Sequence, residues 1–176
     1  MKYKLIKKYL VIKNLSNALT IFRIFLVIPL IILLEIKKLS IVWILIIIGG
    51  ISDYLDGYFA RLLNIKTKYG ALIDPLADKI FILIPFIWLC KFSIIPYWSL
   101  SILLIREFII STLRSLQKDG LPAVSIAKYK ALFQFLSLFL LFMPISSEIF
   151  KLFGLISYWL GFILSIYSFY YYLRIK

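Results

Sequence analysis

Four of the chain's eight acidic residues, Asp53, Asp56, Asp74 and Asp78, are set in one pattern, D-x2-D-G-x2-A-R-x8-G-x3-D-x3-D, which also contains Gly57, Ala60, Arg61 and Gly70. They lie inside or beside long apolar runs, where an ionised side chain is costly and is kept for a use. Carboxylates grouped in this way suit hard divalent cations held against phosphate oxygens. The chain has no histidine, which removes His-based triads, His general bases and His metal ligands. Cys90 is the single cysteine, so neither an internal disulfide nor a thiolate zinc site can form. Any metal must therefore be bound through oxygen, and an aspartate is the available base for deprotonating a hydroxyl.

The elements that must carry these groups are membrane helices. Hydrophobic residues are 63% of the chain and charged residues 16%, against about 25% charged in a typical soluble domain. Apolar runs at roughly 17–36, 40–61, 71–91, 97–116, 126–145 and 152–173 are each long enough to span a bilayer. They are punctuated at Lys37–Lys38, Asn64–Lys68, Ser93–Pro96, Lys118–Pro122 and Ser146–Lys151. The expected fold is an all-α integral membrane protein of six transmembrane helices in a single domain, 1–176. Residues 1–14 form a basic juxtamembrane segment, read equally as an amphipathic surface helix or a basic tail. The net charge of +13 reads as positive-inside bias and attraction to anionic lipid, with no nucleic-acid partner.

Charge also orients the spans. With the N-terminus cytoplasmic, outer loops hold only Lys37, Lys38, Lys91 and Lys151, while Arg23, Lys79 and Arg106 fall within spans. All the other basic residues lie on inner segments, so both termini are expected inside. In this topology Asp53 and Asp78 each lie roughly 12 Å from the inner end of their helix. Asp53 and Asp56 are i, i+3 on one span, and Asp74 and Asp78 are i, i+4 on the next, so each pair shares a face. Two opposed faces would form a carboxylate box open to the cytosol. Asn17, Thr20 and Arg23 recur at similar depth on the first span, Arg106 and Arg114 share a face of the fourth, and Lys128 and Lys130 enter the fifth. The aromatic tail from Tyr158 to Tyr172 reads as an interfacial, lipid-facing belt without chemistry, and Glu35 and Glu148 as solvated charges at outer helix ends.

Residues 53–78 match the signature of the CDP-alcohol phosphatidyltransferases at every position, and the hydrophobic profile of nearly the whole chain resembles that six-helix family. The resemblance implies that an alcohol attacks the β-phosphorus of a CDP-linked lipid and expels CMP. It makes Asp53, Asp56, Asp74 and Asp78 the ligands of two Mg2+ or Mn2+ ions, and Asp78 the general base. Gly57 and Ala60 would let the nucleotide approach the helix, although small-residue helix packing is the alternative. Arg61 would bind phosphate or anchor a helix end, and Gly70 would be a hinge or a close-approach site. Asn17 and Thr20 join the same nucleotide and diphosphate set. Small-residue packing is the reading for Gly49 and Gly50.

A looser resemblance concerns the acceptor. NLSNALTIFRIFLVIPL, KTKYGALIDPLADK, REFIISTLRS and IAKYKALFQ are similar to the branch of the family that uses sn-glycerol 3-phosphate. CDP-diacylglycerol would then be the lipid donor, phosphatidylglycerophosphate and CMP the products, and the bacterial inner membrane the location, with the site facing the cytoplasm. The donor lipid would enter sideways from the bilayer. A homodimer is what the family suggests. A phosphorylated acceptor also needs a basic pocket, for which Arg106, Arg114, Lys128 and Lys130 are the candidates. Pairing of Arg106 with Glu107, or with the acid box, is the alternative. Serine, inositol phosphate or phosphatidylglycerol remain rival acceptors, and a divalent-cation transporter is a distant rival function.

Overall fold

The computed structural model describes residues 18, 21–63, 70–116, 125–145 and 147–174, with the side chains of 56–63, 70–78, 114–116, 125–127 and 173 outside the description. Among the described residues every regular element is a helix: α1 (21–35), α2 (Leu39–Leu63), α3 (Gly70–Lys91), α4 (Tyr97–Leu116), α5 (Ser125–Leu141) and α6 (Glu148–Arg174). These correspond to the six apolar runs. The fifth run ends earlier than its composition suggests, because Pro144 follows the turn at Phe142, and α6 starts earlier, at Glu148. Glu148 is solvated as expected and pairs with Lys151 one turn on, at 2.8 Å. Within the described residues, Glu148–Tyr172 is long and apolar enough to cross a membrane, and Leu39–Leu55 is a shorter apolar stretch. Large aliphatic and aromatic side chains are exposed on all six helices, the arrangement suited to a lipid solvent rather than water.

Two of the connections are closed by backbone hydrogen bonds. At the end of α1, Lys37 (φ 55°) donates to Leu34 at 3.1 Å and Lys38 to Leu33 at 2.9 Å. After α3, Ser93 (φ 56°) donates to Cys90 at 2.9 Å and Ile94 to Leu89 at 3.0 Å. Both are Schellman ends, in which a left-handed residue turns the chain and satisfies the last carbonyls.

The chain divides into two units, Met1–Pro85 and Phe86–Lys176. The division falls within α3 at Pro85, whose missing N–H interrupts the helix ladder. In the first unit, the short turn at 36–38 makes α1 and α2 a helical hairpin. Arg23 precedes that turn by about as many residues as Asp53 follows it, so the register brings the two together. Helices α2 and α3 meet where Gly49 faces Phe81. A Cβ at position 49 would overlap Cε1 and Cζ of that ring and lie 3.0 Å from Cδ1. Gly49 is therefore the packing glycine its sequence suggested.

In the second unit, α5 packs along α6, and α4 also packs against α6. Leu141 lies at Gly154, where a Cβ would come within 2.8 Å of Leu141 Cγ, while Gln134 and Phe133 lie at Gly161. One number falls as the other rises, so α5 and α6 are antiparallel. Ser99 meets Tyr158, and Arg106 meets Ser168, so α4 and α6 run the same way, as alternate helices of an up-down bundle must. The buried stripe of α6 is Gly154, Ser157, Tyr158, Gly161, Ser165, Ser168 and Tyr172, mostly small residues at helical spacing, which lets backbones approach. This corrects the reading of the aromatic tail as purely lipid-facing. Tyr158 and Tyr172 are core residues, whereas Tyr167, Tyr170 and Tyr171 are exposed. Tyr158 packs on Phe86 with ring centroids 5.4 Å apart. Ser99 donates its proton to the Pro96 carbonyl at 2.8 Å, so Tyr158 donates to Ser99 at 2.7 Å.

Candidate active site

The acids fall on α2 and α3, as the spacing predicts. Asp53 and Asp56 are one turn apart near the end of α2, and Asp74 and Asp78 are one turn apart in the first half of α3. Gly49 is one turn before Asp53, and Phe81 is three residues beyond Asp78. The close Gly49–Phe81 contact thus joins the two helices beside their acidic turns. Asp53 is the one of the four whose side chain is described. Its Oδ1 accepts from Arg23 Nη1 at 2.9 Å; Arg23 is 1% exposed and the Asp53 side chain 58%. A carboxylate steadied on one oxygen and still reachable suits a metal ligand, and an all-oxygen donor set on adjoining helices fits Mg2+ or Mn2+. Among the described residues no three metal-binding side chains gather. The side chains of Asp56, Asp74 and Asp78, and those of Gly57, Ala60, Arg61 and Gly70, lie outside the described set, as do Asn17 and Thr20 entirely.

A second polar cluster is built by α4, α5 and α6. Arg106 Nη1 donates to Glu107 Oε1 at 2.6 Å, and Lys130 Nζ donates to that same oxygen. Arg106 Nη2 donates to Ser168 Oγ, which in turn donates to the Ser165 carbonyl at 3.0 Å. Arg106 is 4% exposed and Lys130 7%. Lys128 is exposed, since two residues turn a helix by about 200° and carry it off the face of Lys130. Arg114 sits two turns after Arg106 on α4, its side chain outside the described residues. Of the basic candidates, the structure therefore brings Arg106 and Lys130 together, through Glu107.

A profile of CDP-alcohol phosphatidyltransferases matches residues 13–167. The chain belongs to the CDP-alcohol phosphatidyltransferase family. The transferase is also similar to several curated proteins named CDP-diacylglycerol–glycerol-3-phosphate 3-phosphatidyltransferase. That of Rickettsia typhi is 38% identical over 136 residues, covering 73% of this chain and 76% of the relative. That of Mycoplasma pneumoniae is 31% identical over 150 residues, covering 72% and 66%. That of Bacillus subtilis is 42% identical over 71 residues, covering 40% and 37%. The transferase is thus a phospholipid-synthesis enzyme of a membrane-embedded, divalent-metal-using family.

Sequence reasoning missed three partners in this transferase. The sequence sets Arg23 at the depth of the acids without pairing it to Asp53, although the hairpin register carries that signal. Glu107 reads from the sequence as an alternative partner of Arg106, with no sign of its bridge to Lys130. Ser168, on a tail assigned no chemistry, gave no signal, because its role comes from α6 packing on α4.

Proposed function

We propose that this transferase moves the phosphatidyl group of CDP-diacylglycerol to sn-glycerol 3-phosphate. The acceptor hydroxyl attacks the β-phosphorus, the new P–O bond forms, the bond to CMP breaks, and phosphatidylglycerophosphate leaves with its tails still in the bilayer. The observation that carries the acceptor is the buried Arg106–Glu107–Lys130 cluster. Among the described side chains it sets two cations around one carboxylate, at a depth where a cation is expensive and is kept for a use. A dianionic phosphate gives that charge a purpose, and guanidinium recognition of phosphate is geometrically favourable.

Asp53, Asp56, Asp74 and Asp78 would hold two Mg2+ or Mn2+ ions. When bound, such ions neutralise the diphosphate and stabilise charge on the departing CMP. Asp78 accepts the proton of the attacking hydroxyl. Arg23 steadies Asp53. Gly57 and Ala60 give the nucleotide room against α2, with Arg61, Gly70, Asn17 and Thr20 on the diphosphate and nucleotide. Arg114 and Lys128 supply further positive charge around the acceptor's approach. Six spans, with both termini and the acids on the cytoplasmic side, follow from the distribution of Lys and Arg.

An acceptor-swap assay tests the proposal. Purified protein with CDP-diacylglycerol and Mg2+ should release CMP with glycerol 3-phosphate, and not with serine, inositol phosphate or phosphatidylglycerol. EDTA and Asp78→Asn should each abolish release. Release with a different acceptor would overturn the assignment of the acceptor, and persistence in EDTA would overturn the metal mechanism.

A further inference from the structure

The Arg106 cluster contains more than is needed to neutralise a buried charge. A guanidinium carries five N–H donors. In Arg106 one terminal nitrogen is held by Glu107 and the other by Ser168, so the planar group is fixed at two corners. Ser168 spends its only proton on the Ser165 carbonyl, which turns its lone pairs toward Arg106. Among the described residues, Nε–H of this nearly buried residue meets no acceptor. A charged donor left unmatched in a protein interior costs free energy, and such a group calls for a ligand to complete it.

We infer that Glu107 and Ser168 are positioning residues of the acceptor site: together they orient the Arg106 guanidinium, and Glu107 also draws in Lys130, so that a phosphate monoester is received. This rests on the proposed reading of Arg106 and Lys130 as acceptor-phosphate ligands. Glu107 has two opposed effects. Its charge alone weakens attraction for a phosphate, while its bridging oxygen holds two mutually repelling cations close enough to act together. Both cations donate to one oxygen of Glu107, so weakening that bridge, as a neutral amide oxygen would, loosens the hold that sets them side by side, and weaker phosphate binding reads out that loss.

The test uses the full-length protein in detergent, with Glu107→Gln, Ser168→Ala, Ser168→Thr and Arg106→Lys. CMP release is followed while each substrate is varied, and glycerol 3-phosphate binding is measured separately by calorimetry. Glu107→Gln should raise KM and Kd for glycerol 3-phosphate by about 10-fold, the scale of one charge-assisted hydrogen bond. KM for CDP-diacylglycerol and kcat should change little. Ser168→Ala should shift the same two constants in the same direction, and Ser168→Thr should restore them. Unchanged or tighter glycerol 3-phosphate binding in Glu107→Gln would overturn the inference, as would a fall in kcat with both KM values constant. If Glu107→Gln does not fold, the Ser168 pair decides. If Arg106→Lys leaves glycerol 3-phosphate binding untouched, the acceptor-site reading itself fails. If Arg106→Lys weakens it and the Glu107 and Ser168 variants do not, only the positioning roles fail.

Discussion

Replacing Gly49 with alanine probes how α2 and α3 hold the acids. The new Cβ would overlap Cε1 and Cζ of Phe81 and sit 3.0 Å from Cδ1. Phe81 is 4% exposed, so its ring cannot swing into open space and one helix must retreat. Overpacking of this kind costs about 1–3 kcal/mol. The gain in helix propensity on losing a glycine returns about 1 kcal/mol, for a net loss of up to about 2 kcal/mol. Function should suffer more than stability. A helix retreating by about 1 Å beside Asp53 and Asp78 would displace two acids proposed to act together, and a misplacement of that size can cost about 100-fold in rate. The assay is CMP release alongside thermal unfolding in detergent, for Gly49→Ala, Phe81→Leu and the double variant. Leucine lacks the ring atoms that collide, so the double variant should recover activity, with a coupling of about 1 kcal/mol or more between the sites. Wild-type rate and melting temperature in Gly49→Ala, or a deficit that Phe81→Leu does not relieve, would refute the close approach as the element that sets the acids.

Three further outcomes are expected. Arg23→Leu should lower stability by about 1.5 kcal/mol, the lower end for a hydrogen bond to a charged group because Asp53 is more than half exposed; an unchanged melting temperature would remove the pair as a tie between α1 and α2. Ser93→Gly should raise stability by about 1 kcal/mol by relieving the left-handed backbone at φ 56°, and a drop in melting temperature would contradict the Schellman assignment. Lys151→Ala should change stability by no more than about 0.5 kcal/mol, since its pair with Glu148 is exposed; a larger loss would mean the pair is not solvated.

The sequence by itself determined the helices and the candidate metal ligands, because both are local properties. Six apolar runs set the element count. The i, i+3 and i, i+4 intervals placed Asp53 with Asp56 and Asp74 with Asp78 on single faces, since helix geometry alone fixes neighbours at those intervals. Pairings between helices were less legible. Arg23 with Asp53 could have been found by counting back and forward from the Lys37–Lys38 turn, because a short turn fixes a hairpin's register. Only the tertiary structure decided that Lys130 rather than Lys128 joins Arg106, that one Glu107 oxygen serves both cations, and that Ser168 anchors the guanidinium. Only it showed that Tyr158 and Tyr172 are core residues within an aromatic tail whose Tyr167, Tyr170 and Tyr171 are exposed. In a chain this apolar, nearly every helix face is hydrophobic, so composition does not distinguish a face against lipid from a face against protein. That distinction comes from where small residues let backbones approach, as at Gly154 against Leu141 and Gly161 against Gln134, and such contacts exist only once the helices have packed.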